Sequence, residues 1–139
     1  MINYQNAQVQ ADLAELVQQN IPWQQLQNKT VLITGATGML ASYVGFLLLY
    51  LNETKHLNIR PLFLARSKEK LQTVYGSAAT EQNYLVQDVC EPISYEGNVD
   101  YIFHAAGAAS PYYILNDPVS IINANVKGTQ NILELARTD

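Results

Sequence analysis

The octapeptide Thr34-Gly35-Ala36-Thr37-Gly38-Met39-Leu40-Ala41 lies between a β-branched apolar run and a longer apolar stretch. Gly35 permits a sharp turn off a strand, Gly38 lets backbone approach a pyrophosphate, and the small Ala41 lets a helix sit close on its strand. With Thr37 between the glycines, the amides that open the helix, those of Met39 and Leu40, would face the anion. Small residues also occur at such turns for packing alone. The strand before and the helix after favour a dinucleotide loop.

The residues that must hold the rest of such a ligand sit at the ends of other strands. In a doubly wound sheet the ligand lies at the carboxyl ends, where the strand order reverses, so Ala105, Ala106 and Gly107 would flank it opposite Gly35. Their small side chains leave room for a nicotinamide ribose; tight packing is the alternative. Arg66 ends the second strand, where an acid would bind the adenosine ribose of NAD. With Lys68 and Lys70 near, it can instead pair with the 2′-phosphate of NADP, or form a solvated basic first turn. His104 has no carboxylate or cysteine at ligand spacing and is expected to be a structural, hydrogen-bonded histidine, and no metal site is expected. Cys90 has no basic neighbour in sequence and is expected to be a quiet packed thiol. Trp23 is expected to anchor the first helix to the domain.

The positioning elements follow from periodicity. Val9, Leu13, Leu16 and Val17 fall at helical spacing, predicting a helix over 7–19 that Pro22 ends. Strands are predicted at 29–34, 60–65, 83–87 and 99–105, and helices at 38–52 and 67–75, the last capped by Ser67. A final helix starts with Asp117 as cap and Pro118 at its first position. This order implies an α/β fold, a Rossmann-type doubly wound parallel sheet that is incomplete at about four strands. Its last edge would be left partly uncovered, as in the front portion of a longer protein. Residues 1–28 form an N-terminal helical extension and 29–139 the nucleotide-binding domain.

On the final helix, a 100° wheel over 119–137 puts Val119, Ile122, Val126 and Leu133 on one flank. Ile121, Ala124, Gly128, Ile132 and Leu135 fall on another. Asn125 falls between them and is expected to be buried, bonding backbone near the fourth strand or water close to the cofactor. So wide an apolar arc has two surfaces to cover, one on the sheet and one on missing chain or a second copy. A homodimer through this helix is therefore expected, by way of Ile121, Ile132 and Leu135 or of Ile122, Val126 and Leu133.

Composition excludes other classes. In 139 residues, 48% hydrophobic and 14% charged, disorder is excluded. The net charge of −4 gives no broad positive field for nucleic acid. No apolar segment is long enough to span a membrane, the start does not read as a signal peptide, and one cysteine suits a reducing cytoplasm.

The spacing TGxxGxxG, with alanine last, resembles the cofactor loop of the short-chain dehydrogenase/reductase superfamily. Asp88-Val89, His104-Ala-Ala-Gly-Ala-Ala-Ser-Pro111, Tyr113, Asp117-Pro-Val119 and Asn125-Val-Lys-Gly-Thr-Gln-Asn131 agree in order and distance. Together they resemble the NAD-dependent epimerase/dehydratase branch, nearest the UDP-glucuronate decarboxylase group. The resemblance implies that Asp88 and Val89 lie near adenine, that Ser110 and Tyr113 touch substrate, and that Asn125 helps organise the site. It implies NAD, where Arg66 points to NADP. It also implies a nucleotide sugar that NAD oxidises at C4 before decarboxylation, elimination or epimerisation, and helices that pair across a dimer.

Such enzymes draw their proton chemistry from Tyr-x-x-x-Lys. None of the nine tyrosines has lysine four residues later. This chain is expected to be inactive alone, carrying the cofactor half of the apparatus. A non-catalytic NAD(P) sensor of the NmrA type, which shares a GATG loop and a basic second-strand end, is the other reading. A scaffold whose loop binds nothing is a third.

Overall fold

Strand β1, Thr30–Thr34, is buried at every position because it runs through the middle of a sheet covered on both faces. The computed structural model describes residues 2–108 and 110–138. In it β2, Arg60–Ala65, and β4, Tyr101–His104, flank β1, and β3, Tyr84–Val86, lies outside β2. The order β3-β2-β1-β4 is parallel throughout and aligns Thr34 with Leu64 on one side and His104 on the other. The order reverses between β1 and β4, so the Rossmann-like expectation holds, with the sheet incomplete.

Alternation divides the core. Val31, Ile33 and Phe63 face helices α1 (Ala7–Leu16), α2 (Met39–Lys55) and α3 (Lys68–Tyr75), and pack with Leu13, Phe46, Leu51, Leu71 and Tyr75. Leu32, Leu62 and Leu64 face the opposite way, toward Ile132 and Leu135 of α5 (Pro118–Thr138). Trp23 is buried in the first cluster with Tyr4, Val9 and Leu13, so the N-terminal segment shares that core, as an anchor should.

Helix starts match their signals. Asn6 accepts from Gln8 and Val9 at α1, Ser67 accepts from the Lys70 amide at α3, and Asp117 accepts from the Ser120 amide at α5. Ends and extra turns differ. Helix α1 stops at Leu16, six residues before Pro22, because the buried anchors end at Leu13, Leu16 faces solvent, and Gln18 and Gln19 bond three residues back. A short helix α4, Pro111–Asn116, was not foreseen, although Ser110 followed by Pro111 is a start signal. The edge strands β3 and β4 are shorter than the expected spans 83–87 and 99–105.

On β4, Tyr101 and Phe103 pair with Val31 and Ile33 and so share the α2 face, yet remain 46% and 39% exposed. The final helix is likewise divided. Ile132 and Leu135 are buried on the sheet, and Gly128 is pressed so close to Val89 that a Cβ would come within 2.9 Å of it. Val119, Ile122, Val126 and Leu133 are each about 60% exposed.

Candidate functional site

Gly35 adopts φ +63°, and a Cβ there would stand 2.6 Å from the Ala105 carbonyl oxygen and 2.9 Å from the Ala106 Cα. Only glycine lets the chain leaving β4 close over the end of β1. The Gly38 amide then bonds the Gly35 carbonyl at 2.8 Å, and Ser42 donates to the Gly38 carbonyl as α2 begins. Gly38 caps α2 without a side chain, and the first turn carries no acid. The amides of Met39 and Leu40 therefore precede the helical ladder with no side-chain cap over them. Their side chains are 67% and 72% exposed, and neither residue lines the cleft that these strand ends form.

The loop is held from beneath. Tyr75, fully buried at the end of α3, donates its hydroxyl to the Ala36 carbonyl at 2.7 Å and stacks on Phe63 with ring centres 3.9 Å apart. Burial pushes its phenol far above the ordinary range, so it remains a donor. Gly45 makes room for it, since a Cβ there would lie 2.7 Å from the Tyr75 hydroxyl. Neither was foreseen. Gly45 was visible as a glycine inside a helical run, whereas nothing local marks Tyr75.

From the other side, Thr34 Oγ1 accepts from the amides of Ala105 and Ala106, both at 3.1 Å, and contacts His104 Nδ1 at 2.7 Å. His104 Nε2 meets Thr129 Oγ1 at 3.3 Å, so His104 is the hydrogen-bonded histidine expected. Asp88 turns the chain after β3 by accepting from the Cys90 amide at 2.8 Å. That bond, with help from the Arg66 charge, holds its carboxyl below the usual range, whereas burial pushes the Cys90 thiol up. Asn131 of α5 donates to the Val89 carbonyl at 2.9 Å, tying this turn to the last helix.

These ends enclose a cleft of about 620 Å³. Gly35, Thr37, Gly38, Arg66, Asp88, Val89, Ala105, Ala106, Gly107 and Tyr113 all line it. So do Gln87, Ser120 and Asn123, which sequence reasoning passed over, and Asp117, which it took as a helix cap; the spacing of Asp117, Ser120 and Ala124 is the helical signal that would have found the α5 wall. Ser110 is exposed and does not line it. Lys68 is paired with Glu81 at 2.6 Å, which leaves Arg66 as the cation on the lining. Asn125 corrects the expectation of a buried amide. It is exposed and donates to the Ile121 carbonyl one turn back at 2.9 Å, because nothing described here covers that flank of α5.

The residues fit the pyrophosphate of a dinucleotide. An uncapped helix start without acidic side chains stands beside two glycines, where a Cβ on Gly38 would meet only the Gly35 carbonyl, at 3.1 Å. A profile of the NAD dependent epimerase/dehydratase family matches residues 31–139, the same span that builds the sheet and the cleft. The chain belongs to that family. Among curated relatives of this epimerase/dehydratase domain, UDP-glucuronic acid decarboxylase 3 of Arabidopsis thaliana is 36% identical over 110 residues. UDP-glucuronic acid decarboxylase 6 of the same plant is 34% identical over 110 residues, and in both the match covers 79% of this chain and 31% of the relative. UDP-glucuronic acid decarboxylase 1 of Danio rerio is 30% identical over 109 residues, covering 78% of this chain and 25% of that protein. The chain thus spans about a third or less of the length of these relatives. Among the described residues no cluster of three metal-ligating side chains occurs, and no helix is long and apolar enough to cross a membrane.

Proposed function

We propose that this chain is the NAD(P)-binding portion of a nucleotide-sugar epimerase, dehydratase or decarboxylase, and that it is inactive by itself. The observation that carries the reading is the cleft at the β1/β4 reversal, where a glycine turn and an uncapped helix start meet the small wall Ala105–Gly107. A nicotinamide bound there supplies a hydride acceptor and donor. The α2 amides would hold its pyrophosphate, Arg66 and Asp88 would flank the adenosine half, and Ala105 to Gly107 would leave room for the second ribose. Tyr113 stands at the cleft where a sugar would enter. UDP-glucuronate is the first substrate to try, because the relatives named above are UDP-glucuronic acid decarboxylases. A reducing cytoplasm suits the single half-buried thiol.

Calorimetric titration with NAD, NADH, NADP and NADPH should give saturable heat with at least one. No heat with any, from a folded sample, overturns the reading in favour of a scaffold. The cation on the lining, Arg66, would prefer the 2′-phosphate of NADP, which is also what an NmrA-like sensor would use. Arg66→Asp should weaken NADP roughly 10- to 100-fold, the worth of a charge-assisted hydrogen bond, and NAD far less. Equal losses would take Arg66 out of the site.

The same proposal includes a homodimer. Ile132 and Leu135 are already buried on the sheet, so the contact falls to Ile122, Val126 and Leu133. Sedimentation should show association that rises with concentration and is lost in Val126→Glu. A monomer at high concentration would overturn it.

A further inference from the structure

The hydrogen bonds at the end of β4 leave no freedom in their direction. Thr34 Oγ1 has one proton and two lone pairs, and the amides of Ala105 and Ala106 take both pairs. Its proton must go to His104 Nδ1, 2.7 Å away. A neutral ring that accepts at Nδ1 carries its proton on Nε2, which donates to Thr129 Oγ1, and Thr129 in turn donates to the Asn125 carbonyl of α5. We infer that His104 is a positioning residue, whose neutral Nε2–H form holds the Ala105–Ala106 backbone in place as a wall of the cleft and joins it to α5. The inference rests on the dinucleotide reading above.

Protonation would put a second N–H against Thr34. The hydroxyl would have to turn its proton away and release one of the two amides, so the wall loosens at the position facing Gly35. No ionisable group other than His104 takes part in the chain itself. The partners from β1 and α5 are threonines, and the ionisable side chain that shares the cavity on the far side of His104 is Asp100, already held by Lys29 Nζ at 2.9 Å and the Thr30 amide at 2.8 Å. Arg66, Asp88, Cys90, Glu91, Tyr113 and Asp117 line the cleft on the other side. Burial alone holds the imidazole below its ordinary 6.5, so the neutral link is complete at pH 8 and fails as the pH falls below 6.5 through the lowered value.

Two measurements on the full 139-residue chain test this. Long-range ¹H–¹⁵N spectra of the histidine rings at pH 8 should show His104 with a bare Nδ1 and a protonated Nε2; a proton on Nδ1 overturns the inference without any variant. Titrations with NAD and NADP from pH 8.5 to 5.5 should show the wild type losing affinity as the pH falls below 6.5, toward a limit of about tenfold at full protonation, the worth of one backbone hydrogen bond. His104→Gln, which cannot gain a proton, should bind with a flatter profile. Parallel pH profiles in the two proteins overturn the role of His104 and leave the cleft reading standing. Absence of binding by folded wild type at pH 8.5 overturns both.

Discussion

Gly35→Ala should unfold this domain at markedly lower urea than the wild type. An L-residue at φ +63° costs about 1–2 kcal/mol by itself. Here the new Cβ would also stand 2.6 Å from the Ala105 carbonyl oxygen, and the atoms it meets are backbone, so relief requires β4 to move away from β1. That movement breaks the pairing of Thr34 with His104 and the two amide bonds to Thr34 Oγ1, each worth roughly 1 kcal/mol. The total, about 3 kcal/mol or more, is a large part of the 5–15 kcal/mol that holds an ordinary domain together. Gly76 provides the control. It has nearly the same φ, +56°, but a Cβ there meets nothing within 4 Å. Gly76→Ala should therefore cost only its own backbone strain, about 1–3 kcal/mol at φ +56° and ψ −138°. A loss for Gly35→Ala no greater than the strain of about 1–2 kcal/mol would show that its contact with the chain after β4 does not matter.

Incubated with UDP-glucuronate and NAD, the 139-residue chain should release no detectable product. Its cleft offers the glycine turn, Arg66, Asp88 and small residues, all suited to holding a dinucleotide. It offers no tyrosine with lysine four residues on, the pair that would exchange a proton with the sugar hydroxyl. General acid–base catalysis is worth about 10²–10⁴-fold, and substrate positioning contributes as much again or more. Chromatography of the nucleotide sugars after prolonged incubation is the measurement. Turnover at about 1 s⁻¹ or faster, ordinary for an enzyme, would mean that other residues, with Tyr113 the first to suspect, do the chemistry.

Much of the scaffold was legible because its signals are local. The β-branched run ending at Gly35, the caps Ser67 and Asp117, and Pro118 after the second cap each act within a few residues. Once the strands were placed, parallel pairing and the reversal between β1 and β4 followed from general rules of chain connection, and the cleft followed from the reversal. The failures are also physical. Helix α1 ended early because what holds a helix down is the core under it, and its own fully buried anchors end at Leu13. Asn125 sat within an apolar arc on the wheel, yet burial depends on what lies opposite, and the described sheet ends at β4.

The sequence by itself determined the four strands, the longer helices, their order, the turn at Gly35 and the family, since each depends on residue type and spacing along the chain. Tertiary structure alone decided which flank of α5 is buried, that Tyr75 supports Ala36 across 39 residues, and that Thr34 gathers Ala105, Ala106 and His104 from about 70 residues away. Periodicity shows which way a side chain faces. The atom it meets there is set only when separate strands and helices are pressed to packing distance, where each buried polar group must find its partner.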